Sequence, residues 1–102
     1  MPMIWKEERG ELIFTVSGEV DHHGAKGLMQ QIDSALERNI SRCLVMDLSG
    51  VSFMDSSGIA LLLRAHRRAR EVGGSLRVIG IPEQAMKVLR SAGMHKLMTL
   101  EG

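Results

Sequence analysis

The chain has a single cysteine and three aromatic residues among its 102 amino acids. One cysteine cannot form an internal disulfide, so the composition does not indicate an oxidising compartment. Cys43 lies in a strand-like apolar run, which predicts a small buried hydrophobic residue there. Because aromatic side chains are so few, we expect the core to be built from aliphatic residues and from the eight methionines.

The chain also has almost no net charge and no long apolar run. Its 13 basic and 12 acidic residues leave a net charge of +1, whereas dedicated nucleic-acid-binding proteins usually carry a basic excess. No apolar run approaches the roughly 18 residues needed to cross a bilayer. Residues 1–8 lack the apolar core of a signal peptide. We therefore expect a cytoplasmic protein that contacts neither membranes nor nucleic acids directly.

Apolar residues recur at strand and helix spacing along the whole chain. Strands are predicted near residues 3–7, 11–20, 43–48 and 76–81, with a possible last strand at 97–100, and helices at 28–38, 58–72 and 83–91. The order β-β-α-β-α-β-α, with or without a final β, predicts a single α/β domain over residues 1–102. Strands that alternate with helices imply a mostly parallel central sheet with right-handed crossovers.

The most informative segment is residues 55–58, Asp-Ser-Ser-Gly, between an apolar strand and an amphipathic helix. Backbone N–H groups are unpaired at a helix start, and the helix dipole favours negative charge there. A serine at such a position is also simply a good N-cap, worth about 1 kcal/mol. A helix needs only one N-cap residue, and two adjacent serines are more than capping requires. We therefore assign the cap to Asp55 or Ser56.

Two segments together resemble the bacterial anti-sigma factor antagonists of the STAS domain family. Residues 17–23 read Ser-Gly-Glu-Val-Asp-His-His, and residues 53–58 read Phe-Met-Asp-Ser-Ser-Gly. The one helix and one strand between them fit the family as well. So do the glycine-containing segments 72–74 and 91–93. The resemblance covers nearly the whole chain and implies the STAS fold.

The resemblance also implies a regulatory switch in sporulation or the stress response. In the sporulation-type members, the partner is both an anti-sigma factor and a serine protein kinase, and it phosphorylates the residue that corresponds to Ser57. The unphosphorylated antagonist binds that partner and frees a sigma factor, which regulates transcription. The phosphorylated form cannot bind, and a serine phosphatase resets it. No cofactor is implied, because the nucleotide belongs to the kinase.

The polar segments after two neighbouring strands are expected to form the partner-binding surface. The carboxyl ends of neighbouring parallel strands meet at one edge of a sheet, which brings the loop at Asp21 close to Ser57. Ile59 and Leu63 lie off the apolar stripe of the following helix and are expected to be partly exposed beside Ser57. The predicted partner-binding residues are Asp21, Asp55, Ser56, Ser57, Ile59 and Leu63, with Ser57 as the phosphorylation site.

The same residues allow other interpretations. Asp21-His22-His23 invites a metal site, but zinc sites need three or four ligands. The chain lacks the G-x-S-x-G motif of hydrolases and is small for a substrate pocket, so we expect no catalysis. The arginines of residues 64–70 indicate either a solvated helix face or an electrostatic contact with an acidic partner. The alternative function is a constitutive STAS scaffold or transport-associated interaction module without a phosphorylation cycle.

Overall fold

The structure, a computed structural model, describes residues 3–102. Met1 and Pro2, which begin the N-terminal segment and the expected 1–102 domain, lie outside the described residues. The elements are β1 (Met3–Glu8), β2 (Glu11–Val20), α1 (His22–Arg38), β3 (Cys43–Met54), α2 (Ser56–Glu71), β4 (Ser75–Ile79), α3 (Glu83–Ser91), a 3-10 turn (Met94–Lys96) and β5 (Thr99–Leu100). The element order predicted from the sequence, including the short final strand, is confirmed.

The five strands form one sheet in the order β1-β2-β3-β4-β5. β1 pairs antiparallel with β2, and every later pair is parallel. This confirms the mostly parallel α/β architecture. Within residues 3–102, none of the helices has the length and apolar character that crossing a membrane requires.

The core lies between the three helices and one face of the sheet. Alternate residues of the central strands point into it, as the two-residue period of a strand requires. Phe14 is fully buried, whereas Trp5 and Phe53 are partly exposed, so the core is aliphatic and methionine-rich, as expected. The buried methionines are Met3, Met29, Met46, Met54, Met94 and Met98.

β3 begins at Cys43, as predicted, but it departs from the prediction in its length and in the exposure of its first residue. It continues to Met54, six residues beyond the predicted end, because β2 is long enough to pair with it as far as Val20. The prediction that Cys43 is buried is wrong: its side chain is exposed. Cys43 is the first residue of the strand and lies between Glu11 and Ser75 on the neighbouring strands, outside the buried alternation.

Arg77 links three segments across the exposed face of the sheet. Its guanidinium donates to Glu101 Oε2 and to Glu11 Oε2, both at 3.2 Å. These two hydrogen bonds raise the pKa of Arg77 above its usual value. The groups are solvent-exposed, so the pairs contribute little to the free energy of unfolding.

α2 ends at two glycines, as predicted. Gly73 adopts φ +79°, a left-handed conformation that costs glycine little. The Gly73 N–H donates to the Arg70 carbonyl at 3.0 Å, and the Gly74 N–H donates to the Ala69 carbonyl at 2.8 Å. This pair of bonds is the Schellman motif. It turns the chain directly from α2 into β4.

Candidate functional site

Two aspartates begin two helices at the same edge of the sheet. Val20 and Met54 are paired in register at the ends of β2 and β3, and Asp21 and Asp55 follow them. Asp21 Oδ1 accepts a hydrogen bond from the Gly24 N–H at 2.8 Å. The N-termini of α1 and α2 therefore start from adjacent strand ends. The edge predicted from the strand order is present.

The segment Asp21-His22-His23 is not the loop that the sequence predicted. Asp21 is the N-cap of α1, and both histidines lie in the first turn of that helix with exposed side chains. The helix starts earlier than its apolar stripe because the aspartate cap satisfies an N–H of the first turn. Within residues 3–102 no group of three or more His, Cys, Asp or Glu side chains is placed to hold a metal ion.

Asp55 takes the capping role at the start of α2. Its Oδ1 accepts a hydrogen bond from the Ser57 N–H at 2.8 Å, which confirms the assignment of the cap to Asp55 or Ser56. Ser57 is the second residue of the helix and is half-buried, whereas Ser56 is exposed. Among residues 3–102 the Ser57 hydroxyl is in no hydrogen bond shorter than 3.5 Å. It is therefore not committed to holding the turn together.

Ser57 faces a cleft between α1 and α2. The cleft has a volume of about 230 Å³. It is lined by His22, Ala25, Lys26, Met29, Ser57, Ala60, Leu61 and Arg64. The predicted phosphoacceptor thus opens onto a recess that two helices share.

Ile59 faces the other flank of α2. It lines an open groove of about 600 Å³ between α2 and α3, together with Phe53 and Ser56. Ile59 and Leu63 are half-buried and pack against the core. The apolar pair is partly exposed, as expected, but Ile59 is separated from the Ser57 cleft by the helix itself. Residues 55–59 therefore present two different surfaces.

Gln84 is a site residue that the sequence analysis missed. Its side-chain Oε1 accepts from the Met54 N–H at 2.9 Å, and its Nε2 donates to the Met54 carbonyl at 2.8 Å. The side-chain amide of Gln84 thus hydrogen-bonds both backbone groups of the last residue of β3, immediately before the Asp55 cap. No local pattern marks this role, because the two residues are 30 positions apart. Phe53 was also missed; it is 47% exposed.

Replacing Gln84 with alanine should destabilise the turn that holds Ser57. The backbone N–H and the backbone carbonyl of Met54 both lose their side-chain partner, and a part-buried group left unpaired costs about 1–3 kcal/mol. For a domain of this size the melting temperature should fall by roughly 4–8 °C per kcal/mol. Gln30→Ala, an exposed glutamine of α1, is the matched control and should melt within a few degrees of the wild type. Equal melting temperatures for both variants would contradict this role.

The arginine-rich stretch of α2 includes a contact to α1. Arg68 Nε lies 3.1 Å from Asp33 Oδ1, and Arg68 Nη1 lies 3.5 Å from Glu71 Oε2. Arg68 is half-buried, whereas Arg64 and Arg67 are exposed. The interpretation of these arginines as a solvated helix face fits Arg67, which is exposed. It fits Arg68 less well, because Arg68 joins α2 to α1.

One family model, the STAS domain, matches residues 3–101. The chain belongs to the STAS domain family. This confirms the family that residues 17–23 and 53–58 indicated, and the match extends over almost all of the described chain.

Among curated STAS relatives, the anti-sigma F factor antagonist of Paenibacillus polymyxa is 32% identical over 95 residues, which is 93% of this chain and 81% of the relative. A solved anti-sigma factor antagonist from Mycobacterium paratuberculosis is 25% identical, with a TM-score of 0.86 over 98% of this chain and 84% of that one.

The anti-sigma factor antagonist SpoIIAA is a further structural neighbour. Its unphosphorylated form is 24% identical, with a TM-score of 0.83 over 97% of this chain and 87% of that chain. Its phosphorylated form gives a TM-score of 0.75 at the same identity, over 97% and 90%. At this identity the likeness shows the fold, and the fold predicted from the sequence is confirmed.

Proposed function

We propose that this chain is an anti-sigma factor antagonist. In its unphosphorylated form it binds an anti-sigma factor in the cytoplasm and thereby frees a sigma factor. The partner is also a serine protein kinase, which transfers the γ-phosphoryl group of ATP to the Ser57 hydroxyl and releases ADP and the hydroxyl proton. A serine phosphatase reverses the step. The chain itself works by binding, without catalysis or a cofactor.

The observation that carries this proposal is the position of Ser57. It lies in the first turn of α2, half-buried at a cleft, while Asp55 rather than Ser57 caps the helix. Modifying this hydroxyl therefore breaks no hydrogen bond among residues 3–102. Support also comes from the curated relative at 32% identity, which is named an anti-sigma factor antagonist.

A phosphate on Ser57 is expected to act at the interface and to leave the fold intact. It adds about −1.5 to −2 charges, and the first turn of a helix favours negative charge. A partner that covers this edge would have to bury a phosphate that its own surface is not built to pair with, which costs several kcal/mol. The modification therefore blocks docking by charge and bulk.

The proposed docking surface is the sheet edge together with the groove between α2 and α3. Asp21, Asp55, Ser56 and Ser57 supply its polar part. Ile59 and Leu63 remain proposed contacts, and Phe53 joins them because it is about half exposed and lines the same groove as Ile59. An exposed aromatic residue beside a polar rim is typical of the residues that dominate binding energy.

Replacing Phe53 with alanine should weaken anti-sigma factor binding about tenfold or more, because a buried aromatic anchor contributes at least 1–2 kcal/mol. Ile59→Ser should act in the same direction. Binding can be measured by calorimetry, and circular dichroism can verify that each variant folds. Ile40→Ala is the control, since Ile40 is 88% exposed on the connection after α1, and it should bind normally.

The competing surface is the outer arginine face of α2. Arg67→Ala leaves the Arg68–Asp33 pair intact and should mainly change the association rate and its salt dependence. The proposed surface is wrong if the Phe53 and Ile59 variants bind normally while Arg67→Ala abolishes binding.

A further inference from the structure

The charged side chains in the lining of the Ser57 cleft are basic, and no carboxylate lines it; the other lining residues are mostly small or apolar. Lys26 comes from α1 and Arg64 from α2, and His22 lies at the α1 end. Among residues 3–102, neither Lys26 nor Arg64 takes part in the ion pairs of the fold. Two basic side chains of the cleft are therefore without an ion-pair partner among residues 3–102.

The nearest carboxylates on this edge are already engaged. Asp21 accepts from the Gly24 N–H, and Asp55 accepts from the Ser57 N–H, each at 2.8 Å. These bonds point the two carboxylates at their own helix ends. Neither residue lines the Ser57 cleft.

The carboxylates beyond Arg64 belong to a neighbouring groove. Asp33 and Glu71 lie there, and both are paired with Arg68. Glu37 also lines that groove, as Arg64 does, but the two are not among the ion pairs of residues 3–102.

The start of α1 combines the partial positive charge of a helix N-terminus with the carboxylate of its cap, Asp21. The first turn of this helix contains no acidic residue and begins with two histidines. The N-terminus of a helix carries a partial positive charge and stabilises acidic residues rather than basic ones. Lys26 follows beyond the first turn, so the attraction for an anion between α1 and α2 comes mainly from the Lys26 and Arg64 side chains.

We propose that this cleft receives the phosphate of phosphorylated Ser57. Lys26 and Arg64 donate charge-assisted hydrogen bonds to the phosphate oxygens, with His22 beside them. The cleft of about 230 Å³ can take the group, since one water occupies roughly 30 Å³ of liquid. This inference depends on the proposed function in one respect, which is that Ser57 is the phosphorylation site.

Two consequences follow for the switch. The phosphate ties the N-terminal turns of α1 and α2 together, so the phosphorylated edge has one defined shape. It also neutralises Lys26 and Arg64, which the unphosphorylated form leaves available to acidic groups of a partner. Phosphorylation thus adds negative charge to this surface and also makes the positive charges of Lys26 and Arg64 unavailable to a partner.

The test places phosphoserine at position 57 by genetic-code expansion, so no kinase is needed. The phosphate is titrated by phosphorus-31 NMR at low salt, in the folded protein and in urea. The ordinary second pKa of a phosphate ester is about 6, and two nearby cations should lower it by about one unit in the folded protein. In Lys26→Gln/Arg64→Gln most of that shift should disappear. Unmodified, this variant should keep the wild-type melting temperature within a few degrees.

The matched control is Lys87→Gln/Arg90→Gln on α3, which removes the same charge away from the cleft and should keep the shift. The inference is overturned if the folded and unfolded phosphates titrate alike. It is equally overturned if the cleft and α3 variants lose the shift to the same extent, or if the cleft variant retains it. Failure of the proposed function would appear differently, as unchanged partner binding by the phosphoserine protein.

Discussion

Replacing Ser57 with aspartate is expected to weaken binding of the anti-sigma factor by about thirtyfold or more. Burying an unpaired charge in an interface costs about 2–5 kcal/mol, and each 1.4 kcal/mol is a factor of about ten in affinity. Ser57→Ala should bind much as the wild type does, because the hydroxyl is in no hydrogen bond among residues 3–102. The two variants differ in charge at a single position.

Affinities from calorimetry and melting temperatures from circular dichroism together distinguish a loss of binding caused by the charge from one caused by unfolding. We expect Ser57→Asp to melt within about 10 °C of the wild type, since a first-turn carboxylate suits the helix dipole. A variant that binds normally would contradict the interface role of Ser57. A loss of binding accompanied by unfolding would contradict the mechanism by charge and bulk.

Replacing Gly58 with alanine is expected to destabilise the fold by about 1–3 kcal/mol, the usual cost of overpacking a filled core. A Cβ on Gly58 would lie 2.6 Å from Met54 Sδ and 2.9 Å from Met54 Cε, and would also collide with Met54 Cγ. Met54 is 1% exposed, so its side chain would have to shift within the packed core to admit the methyl group. This contact, rather than backbone conformation, explains the glycine after the two serines.

Gly27→Ala is the matched control, because Gly27 is also helical but exposed. A Cβ there would meet nothing within 4 Å. Alanine is a better helix former than glycine by about 1 kcal/mol, so the melting temperature should rise by roughly 4–8 °C. The two substitutions should therefore have opposite signs in thermal unfolding. A rise in both would show that the Met54 contact does not require a glycine.

Local chemistry explains what the sequence predicted well. The element order follows from apolar periodicity, and the end of α2 follows from Gly73, because each depends on residues close together in the chain. The Asp55 cap was predictable for the same reason. The convergence of Asp21 and Asp55 required one further rule, that parallel strand ends meet at one edge.

Most of the errors concern features that depend on distant residues; the early start of α1 is the exception, because Asp21 caps it locally. The length of β3 is set by its pairing with β2, so the end at Met54 is invisible in the local pattern. The exposure of Cys43 depends on its place at the start of that strand. The contact between Gln84 and Met54 joins two elements that only the packed fold brings together. The opposite flanks of Ser57 and Ile59 likewise depend on where α1 and α3 pack.

Phosphosite mapping with the cognate anti-sigma factor kinase tests the central claim most directly. The wild-type protein and Ser57→Ala are each incubated with the kinase and ATP. One portion of each sample is fragmented for mass spectrometry, and a second portion is separated by size to detect the complex with the kinase. We predict one phosphate, on Ser57, none on Ser57→Ala, and a phosphorylated protein that no longer elutes with the kinase. Full modification of Ser57→Ala at Ser56, or a phosphorylated protein that stays in the complex, would contradict the proposed switch.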